Sequence, residues 1–379
     1  MSLEIGCYYF PNYHIGDPRN DRLHGKGWNE WELVRNASPR FPGHRQPNLP
    51  ARGFLDEKNP AVMQDNIRLA ADHGINTFIF DWYYYNDGPF LNKALEEGFF
   101  QAGADNDVKF CTMWANHDWM DIHPCTRLGG RTLLYPGKVT RETFEKIASI
   151  HTEKYFQRPD YYTIDGKPYF SCYELNKLLH SFGSVAETRR ALEDFRIAAA
   201  AAGLPGLHLN CVVWTEAILP GESTPLNLPE LLSILGFDSI TSYVWTHHVR
   251  FNKHQMPYEE VLEKYLLYYE SVLNTYDIEY YPNVSMGWDS TPRTVQSEVW
   301  DWTPDLPYPF GNVVVGNTPE QFETAMKLVA ERLMRQPQKH KILNINSWNE
   351  WTEGSYLEPD QHSGTAYLEA VKKVRLLWP

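Results

Sequence analysis

Hydrophobic and polar positions along the chain follow two different periods. Short runs rich in β-branched and aromatic residues alternate with longer stretches in which apolar side chains recur every three or four residues. The short runs predict eight strands, near 3–10, 76–82, 108–114, 168–174, 207–214, 237–243, 279–285 and 341–348. The longer stretches predict helices near 60–73, 89–103, 141–157, 185–202, 228–235, 257–274, 318–334 and 364–376.

Capping residues support several of these helices. Asn59 and Thr318 each place a capping side chain directly before a proline, and Gly74 and Gly203 stand where helices should end. Regular alternation of strands and helices predicts the α/β class with a parallel sheet. Eight such units most simply close into a (β/α)8 TIM barrel, which we expect to form a single domain over residues 1–379, with long loops on its top face.

The ends of the predicted strands indicate where the site of such a barrel should lie. Active sites of β/α barrels are built at the C-terminal ends of the strands, and here these ends combine aromatic with polar residues, whereas the opposite ends carry ordinary turn residues. We therefore expect substrate-binding side chains at or just after the strand ends: Tyr8, Tyr9, His14, Asp81, Trp82, Tyr83, Trp114, Asn116, His117, Trp214, Tyr243, Trp245, His247 and Trp288. The long loops at 11–58, 115–140 and 286–317 should wall the cleft.

The histidines and Asp81 at these strand ends can each be interpreted in more than one way. His117, His247 and His14 are candidates for hydrogen bonding to a substrate, because the spacing of the histidines and of Asp118 matches no metal motif. No metal and no cofactor are expected. Asp81 is either an acceptor for a sugar hydroxyl or a buried carboxylate held by backbone amides.

The tetrapeptide Trp-Asn-Glu-Trp occurs twice, at 28–31 and at 348–351. The second copy follows the eighth predicted strand, and a second carboxylate, Glu353, stands three residues after Glu350. In a helical turn that spacing brings Cβ atoms to roughly 5–6 Å, which suits the separation of about 5–5.5 Å between the carboxyl groups of retaining glycosidases. Carboxylates this close push their pKa values apart, which leaves one acid and one base.

We predict that Glu350 and Glu353 are the catalytic pair, flanked by the substrate contacts Trp348, Asn349 and Trp351. The alternative is that Glu350 caps the final helix and Glu353 is solvated. In the first copy, Trp28, Glu30 and Trp31 either bind substrate, with an indole as a stacking platform, or form a structural loop.

Composition favours a carbohydrate substrate. Aromatic residues make up 14% of the chain, with 13 Trp and 23 Tyr, and such rings stack on the C–H faces of sugars while their polar tips bind hydroxyls; the alternative is an aromatic-rich core. A net charge of −13 without a basic run argues against nucleic acid and anionic membranes as partners. No apolar run is long enough for a membrane span, and the oligomeric state is left open.

The first residues of the sequence bear on the cellular compartment of the protein. They lack both a basic segment and a long apolar segment of the kind found in a signal peptide. This predicts a cytoplasmic protein, and a periplasmic or secreted location stays open if a leader has been removed.

Several motifs resemble a known group of enzymes. The segment Asn349-Glu350-Trp351-x-Glu353-Gly354 resembles the signature of the family-99 glycoside hydrolases, the retaining endo-α-mannosidases and endo-α-mannanases. Longer stretches resemble the WbsX-like relatives of that family, which carry the name of glycosyltransferases and are found beside polysaccharide gene clusters. These stretches lie at 8–14, 25–31, 42–50 and 74–84, so the resemblance spans essentially the whole chain.

The resemblance implies a glycoside hydrolase acting with retention on an oligo- or polysaccharide of α-mannoside-like type. It implies that Glu350 removes the 2-hydroxyl proton of the sugar in the −1 subsite and that Glu353 protonates the leaving oxygen, through a 1,2-anhydro sugar. Thr352 stands where the mannosidases usually have His.

Two other classes of protein remain as alternatives. The first is a glycosyltransferase or transglycosylase of surface polysaccharide biosynthesis. Asp105-Asn106-Asp107 resembles the metal-nucleotide motif of glycosyltransferases, but it precedes a strand, and no Gly-rich phosphate loop follows one. The second is a carbohydrate-binding protein with an inactive site, which the presence of both Glu350 and Glu353 disfavours.

Overall fold

The strands close into a parallel barrel. The computed structural model describes residues 2–103, 107–127, 129, 131–303 and 306–379. Its barrel strands are β1 (Glu4–Tyr9), β2 (Thr77–Tyr85), β3 (Lys109–Trp114), β4 (Lys167–Cys172), β5 (His208–Val212), β6 (Ser239–Thr241), β7 (Glu279–Tyr281), β8 (Asn283–Ser285) and β9 (Ile342–Asn346). Every pair of neighbouring strands among them is parallel.

The predicted seventh strand is interrupted at Pro282, which lacks the N–H that a ladder requires. Its first half, β7, pairs with β6, and its second half, β8, pairs with β9. The order of the sheet is therefore β7-β6-β5-β4-β3-β2-β1-β9-β8, and the chain itself joins the two edges. The α/β class and the (β/α)8 barrel predicted from the sequence are confirmed.

Helices surround the barrel. The α-helices are Pro18–His24, Trp31–Asn36, Pro60–Asp72, Phe100–Ala102, Arg141–Ile150, Leu175–Phe182, Val185–Ala201, Leu228–Leu235, Tyr258–Thr275, Pro319–Arg335 and Ala366–Arg375. Ala94–Phe99 and His151–Tyr155 are π-helical, and Trp245–His247, Thr291–Arg293 and Trp351–Glu353 form single 3₁₀ turns. The predicted caps hold: Asn59 accepts from the backbone N–H of Ala61 at 3.0 Å, and Thr318 accepts from that of Gln321 at 3.3 Å.

One predicted helix begins later than the apolar pattern indicates. The predicted helix at 89–103 starts at Ala94, because β2 runs on to Tyr85 and turns back into a short strand, Gly88–Phe90, that pairs with it. No helix among the described residues has the length and apolar character needed to cross a membrane.

Short strand pairs brace the loops at the C-terminal end of the barrel. Trp119–Met120 pairs with Leu133–Tyr135, and Gln255–Pro257 pairs with Val313–Val315. Asn349–Glu350 pairs with Ser355–Tyr356 in a small hairpin directly after β9, and Thr163–Ile164 extends β4 on the opposite side of the molecule. The hairpin after β9 carries the predicted catalytic segment.

Candidate active site

A cleft of about 630 Å³ opens at the C-terminal ends of the barrel strands. Nine of the residues predicted from the sequence line it: Asp81, Tyr83, His117, Trp214, Tyr243, His247, Trp288, Glu350 and Glu353. The loops at 115–140 and 286–317 contribute to its wall as predicted, whereas the loop at 11–58 contributes none of the lining residues and packs behind it. The cleft is therefore bounded by the strand ends and two of the three long loops.

Thirteen other predicted residues lie outside the cleft lining: Tyr8, Tyr9, His14, Trp28, Glu30, Trp31, Trp82, Trp114, Asn116, Trp245, Trp348, Asn349 and Trp351. Tyr8, Tyr9, Trp82 and Trp114 lie on barrel strands, where successive side chains face opposite sides, and the other nine lie outside the barrel strands. Indole N–H groups among these residues donate hydrogen bonds to backbone carbonyl oxygens, for example from Trp31 to Leu55 O at 2.8 Å and from Trp245 to Asn283 O at 3.0 Å.

Glu350 and Glu353 come together through the local backbone. Glu350 ends the first strand of the small hairpin, and Trp351–Glu353 is a single 3₁₀ turn, in which side chains three residues apart eclipse each other. Gly354 ends the turn at φ +64°, and a Cβ at that position would approach the Asp289 Cβ to 2.8 Å. The final helix begins only at Ala366, so Glu350 does not cap it.

Arg293 bridges the two carboxyl groups. Its Nη2 donates to Glu350 Oε1 at 2.5 Å, and its Nη1 donates to Glu353 Oε1 at 2.6 Å. Its Nε donates to Glu30 Oε1 at 3.0 Å, and the phenol of Tyr308 donates to Glu353 Oε1 at 2.6 Å. Glu350 and Glu353 expose only 2% and 7% of their surface, so one guanidinium fixes both groups in a site largely shielded from solvent.

The pKa values of Glu350 and Glu353 are both raised. Burial raises the pKa of Glu350 well above its usual value, the charge of Glu353 adds to this, and Arg293 opposes it. Burial also raises the pKa of Glu353, opposed by Arg293 and by the hydrogen bond from Tyr308. One cation thus faces more carboxyl groups than it can neutralise, so the pKa values of both members of the pair lie above that of a free Glu.

Glu30, from the first Trp-Asn-Glu-Trp copy, lies behind this pair. Burial opposes its ionisation, but Arg293, His123 and the hydrogen bonds from Thr352 and Asn12 together hold its pKa below the usual value. Its Oε2 accepts from Asn12 Nδ2 at 2.6 Å, and its Oε1 accepts from the Thr352 hydroxyl. Glu30 therefore serves as the fixed anion that orients Arg293.

Asp81 stands across the cleft floor from the pair. Its Oδ2 accepts from the Tyr243 phenol at 2.9 Å, and the same phenol lies 3.4 Å from Glu350 Oε2. Its Oδ1 is buried and has no hydrogen-bond partner among the described residues. Burial raises the pKa of Asp81 well above its usual value, opposed by Tyr243. Asp81 also lines the cleft.

Flat rings cover two sides of the cleft. Trp214 stacks on His247 with ring centroids 4.4 Å apart, and Tyr173 packs against Trp214 at 5.2 Å. Burial and the neighbouring His248 lower the pKa of His247 to about 3, so its imidazole is neutral. Another stacked pair, Trp119 on His123 at 5.2 Å, also lines the cleft. Such surfaces suit the C–H faces of sugar rings.

Sequence reasoning missed several lining residues: Arg293, Tyr308, Tyr173, Glu174, Trp119, His123, Asp118 and Lys177. A signal for Arg293 was available, because it is the only Lys or Arg in the loop at 286–317. Lys177 pairs with Asp118 at 2.7 Å near the cleft rim, and burial raises the pKa of Glu174 to about 7. In the part of the chain that the structure describes, no group of three or more His, Cys, Asp or Glu side chains is arranged to hold a metal ion.

A parallel β/α barrel with its cleft and a buried carboxyl pair at the C-terminal ends of its strands is a TIM barrel with its candidate site in the usual place for that fold. Within that class, the chain belongs to the family described as glycosyltransferase WbsX, whose model matches residues 5–371. The family resemblance in the sequence is thereby confirmed.

Relatives and solved structures are consistent with this assignment. The chain is 28% identical to the uncharacterized protein WxcX of Xanthomonas campestris pv. campestris, over 98% of this chain and 50% of that protein. It thus spans about half the length of the curated relatives it matches.

The GH99 endo-alpha-mannosidase from Bacteroides thetaiotaomicron superposes with a TM-score of 0.59 at 13% identity, covering 99% of this chain and 97% of that chain. A glycoside hydrolase-like protein gives a TM-score of 0.59 at 15% identity, covering 98% of this chain and 94% of that chain. These two likenesses establish the shared fold.

Proposed function

We propose that this chain is a glycoside hydrolase that cleaves an oligo- or polysaccharide with retention of configuration. The observation that carries the proposal is the bridge formed by Arg293 between Glu350 and Glu353, which holds two carboxyl groups with raised pKa values side by side in the cleft. A retaining glycosidase needs two closely spaced carboxyl groups. The rings that line the cleft supply the sugar-binding surface.

In the first step, Glu353 gives its proton to the glycosidic oxygen, and the bond from that oxygen to C1 breaks. Glu350 takes the proton of the sugar 2-hydroxyl, and O2 forms a bond to C1, which yields a 1,2-anhydro sugar. A raised pKa makes Glu350 a stronger base once it is ionised, which suits a weakly acidic hydroxyl. Arg293 stays bonded to both carboxylates as the charge moves between them.

In the second step, Glu353 accepts a proton from a water molecule whose oxygen attacks C1. The bond from C1 to O2 breaks, and Glu350 returns its proton to O2, so both carboxyl groups regain their initial states. C1 has then been attacked twice, which gives a product with the original configuration. Asp81, Tyr83, His117, Trp214, Tyr243, His247 and Trp288 are the proposed contacts to the saccharide.

The proposed sugar class is α-mannoside-like, by analogy with the family-99 enzymes. At the position that is usually His in those enzymes, the Thr352 hydroxyl bonds Glu30 and lies 2.8 Å from Arg293 Nε. It is therefore engaged behind the catalytic pair instead of facing the cleft.

The second candidate is a glycosyltransferase or transglycosylase of surface polysaccharide biosynthesis, which the name of the matching family favours. Such an enzyme would bind a nucleotide sugar if it used an activated donor. Of the Asp105-Asn106-Asp107 motif that resembles a metal-nucleotide site, Asp105 and Asn106 lie outside the described residues.

Ligand-induced thermal stabilisation separates the two candidates. We expect manno-oligosaccharides or other free oligosaccharides to raise the melting temperature, while UDP-, GDP- and dTDP-sugars leave it unchanged. A ligand at 100 times its Kd stabilises the folded state by about 2.7 kcal/mol, which such a scan detects.

Matched tryptophan variants control for binding outside the cleft. Trp214→Ala should reduce the oligosaccharide shift, and Trp378→Ala, which removes an indole outside the cleft lining, should leave it intact. Stabilisation by nucleotide sugars with none by oligosaccharides would favour the transferase.

A further inference from the structure

Two more carboxyl groups lie behind the catalytic segment and outside the cleft lining. Glu57 precedes the helix Pro60–Asp72, and Glu358 follows the small hairpin that carries Glu350. Glu57 exposes 2% of its surface and Glu358 exposes 8%. The mechanism proposed above uses neither of them, although burying a carboxyl group is costly unless it is paired or protonated.

Each of the two holds one chain neighbour of Glu350. Glu57 Oε1 accepts from Asn349 Nδ2 at 2.6 Å, and Glu358 Oε2 accepts from Trp351 Nε1 at 2.7 Å. The amide of Asn349 also bonds the backbone N–H and C=O of Phe10 at the end of β1, at 2.8 and 2.7 Å. The residues before and after Glu350 are therefore both anchored on buried carboxyl groups.

The surroundings provide little positive charge. From β1, the Tyr9 phenol donates to Glu57 Oε1 at 3.0 Å. From the loop after Pro50, the partly exposed Arg52 approaches Glu358 Oε1 only to 3.9 Å. Glu57 Oε2 is buried without a hydrogen-bond partner among the described residues.

The two carboxyl groups influence each other. Burial raises the pKa of Glu57 well above its usual value, and the charge of Glu358 is the next cause. Burial also raises the pKa of Glu358, opposed by Arg52 and by donors that include the Trp351 indole. Two neighbouring buried carboxyl groups do not both ionise readily.

We propose that Glu57 and Glu358 act as a positioning pair that fixes both chain neighbours of Glu350, and that Glu57 does so as a protonated, neutral carboxyl group. The proton resides on Glu57 Oε2, because Oε1 already accepts two hydrogen bonds and Oε2 has none. The catalytic part of this inference rests on the proposed function, in which Glu350 is the base.

The pair predicts a definite pH dependence of stability. A carboxyl group whose pKa is higher in the folded than in the unfolded state stabilises the protein fully below its unfolded pKa, about 4.3 for Glu. That contribution is lost as the pH rises through the folded pKa. Glu57 has a raised pKa, so the melting temperature should fall as the pH increases from about 5 towards the alkaline range.

The Glu57→Gln variant tests the proton on Glu57, because a glutamine keeps the acceptor Oε1 and carries a permanent donor in place of the protonated oxygen. We expect the fall of melting temperature with pH to be smaller in Glu57→Gln than in the wild type. The exposed Glu145→Gln should reproduce the wild-type curve. Identical slopes in all three proteins would overturn the protonation of Glu57, whether or not the chain hydrolyses glycosides.

The positioning role is tested by activity. Glu57→Ala removes the acceptor for Asn349, so kcat should fall by up to about 100-fold, with KM much less affected, as for a catalytic group displaced by about 1 Å. Glu57→Gln should recover most of that loss. An Ala variant with wild-type kcat, or a Gln variant as impaired as the Ala variant, would overturn the positioning role.

Discussion

Replacement of Glu353 by glutamine should lower the turnover of natural glycosidic linkages by roughly 10²–10⁴-fold, the usual contribution of general acid catalysis. The amide has no acidic proton to give to the leaving oxygen. In aryl glycosides the leaving group is an acidic phenol, which departs as phenolate without that proton. Turnover of these substrates should therefore fall far less. The backbone turn and the bond from Arg293 to the side-chain oxygen can persist in the variant.

The measurement compares kcat/KM for the two substrate types in the wild type and in Glu353→Gln. Glu174→Gln is the matched control, because Glu174 also lines the cleft and has a pKa raised by burial to about 7, yet it lacks the bridge to Arg293. Glu174→Gln should change kcat/KM by the same factor for both substrate types. An equal loss on both substrate types in Glu353→Gln would reverse or refute the assignment of Glu353 as the acid.

The second large effect concerns the sugar itself. If Glu350 removes the proton of the 2-hydroxyl, the substrate supplies its own nucleophile, and a 2-deoxy or 2-fluoro substrate should be turned over hardly at all. Without the enzyme the expected order is the reverse, because the 2-deoxy compound reacts faster than the hydroxyl compound in water. Glu350→Gln should be correspondingly inactive on the hydroxyl substrate, because an amide is no base.

Matched substrates that differ only at position 2 provide the assay. Intact-mass spectrometry after treatment with a 2-fluoro inactivator should find no glycosyl adduct on the protein. A trapped adduct on Glu350 would instead assign the nucleophile role of most retaining glycosidases.

The fold was predictable because local patterns agree with the global topology. Strand-forming runs, helical stripes and caps such as Asn59 and Thr318 all indicated the same barrel. The interruption at Pro282 has a local signal in the proline itself, whereas the turn of β2 into Gly88–Phe90 depends on how strands pair, which no local pattern records.

The site was predictable in part. Glu350 and Glu353 line the cleft as expected, because their spacing and their place after the last strand are sequence features. Which aromatic side chains face the cleft could not be predicted. Both faces of a parallel barrel strand are buried, so its sequence is a continuous apolar run that does not show which residues point inward and which point outward. Trp82 and Tyr83 are neighbours in the chain, yet only Tyr83 lines the cleft.

The first Trp-Asn-Glu-Trp copy illustrates a contact set by tertiary structure. Glu30 and Arg293 are 263 residues apart in sequence and meet behind the catalytic pair. The sequence left substrate binding and loop anchoring open for this copy. The geometry of Glu30 corresponds to anchoring, since its carboxylate bonds Arg293, Thr352 and Asn12 away from the cleft lining.

The most direct test of the central claim is the anomeric configuration of the first product, followed by proton NMR before mutarotation sets in. Catalysis by the neighbouring pair Glu350 and Glu353 predicts that the newly formed reducing end keeps the configuration of the cleaved bond. A product of inverted configuration would contradict the account and leave Glu350 as a base that activates water directly.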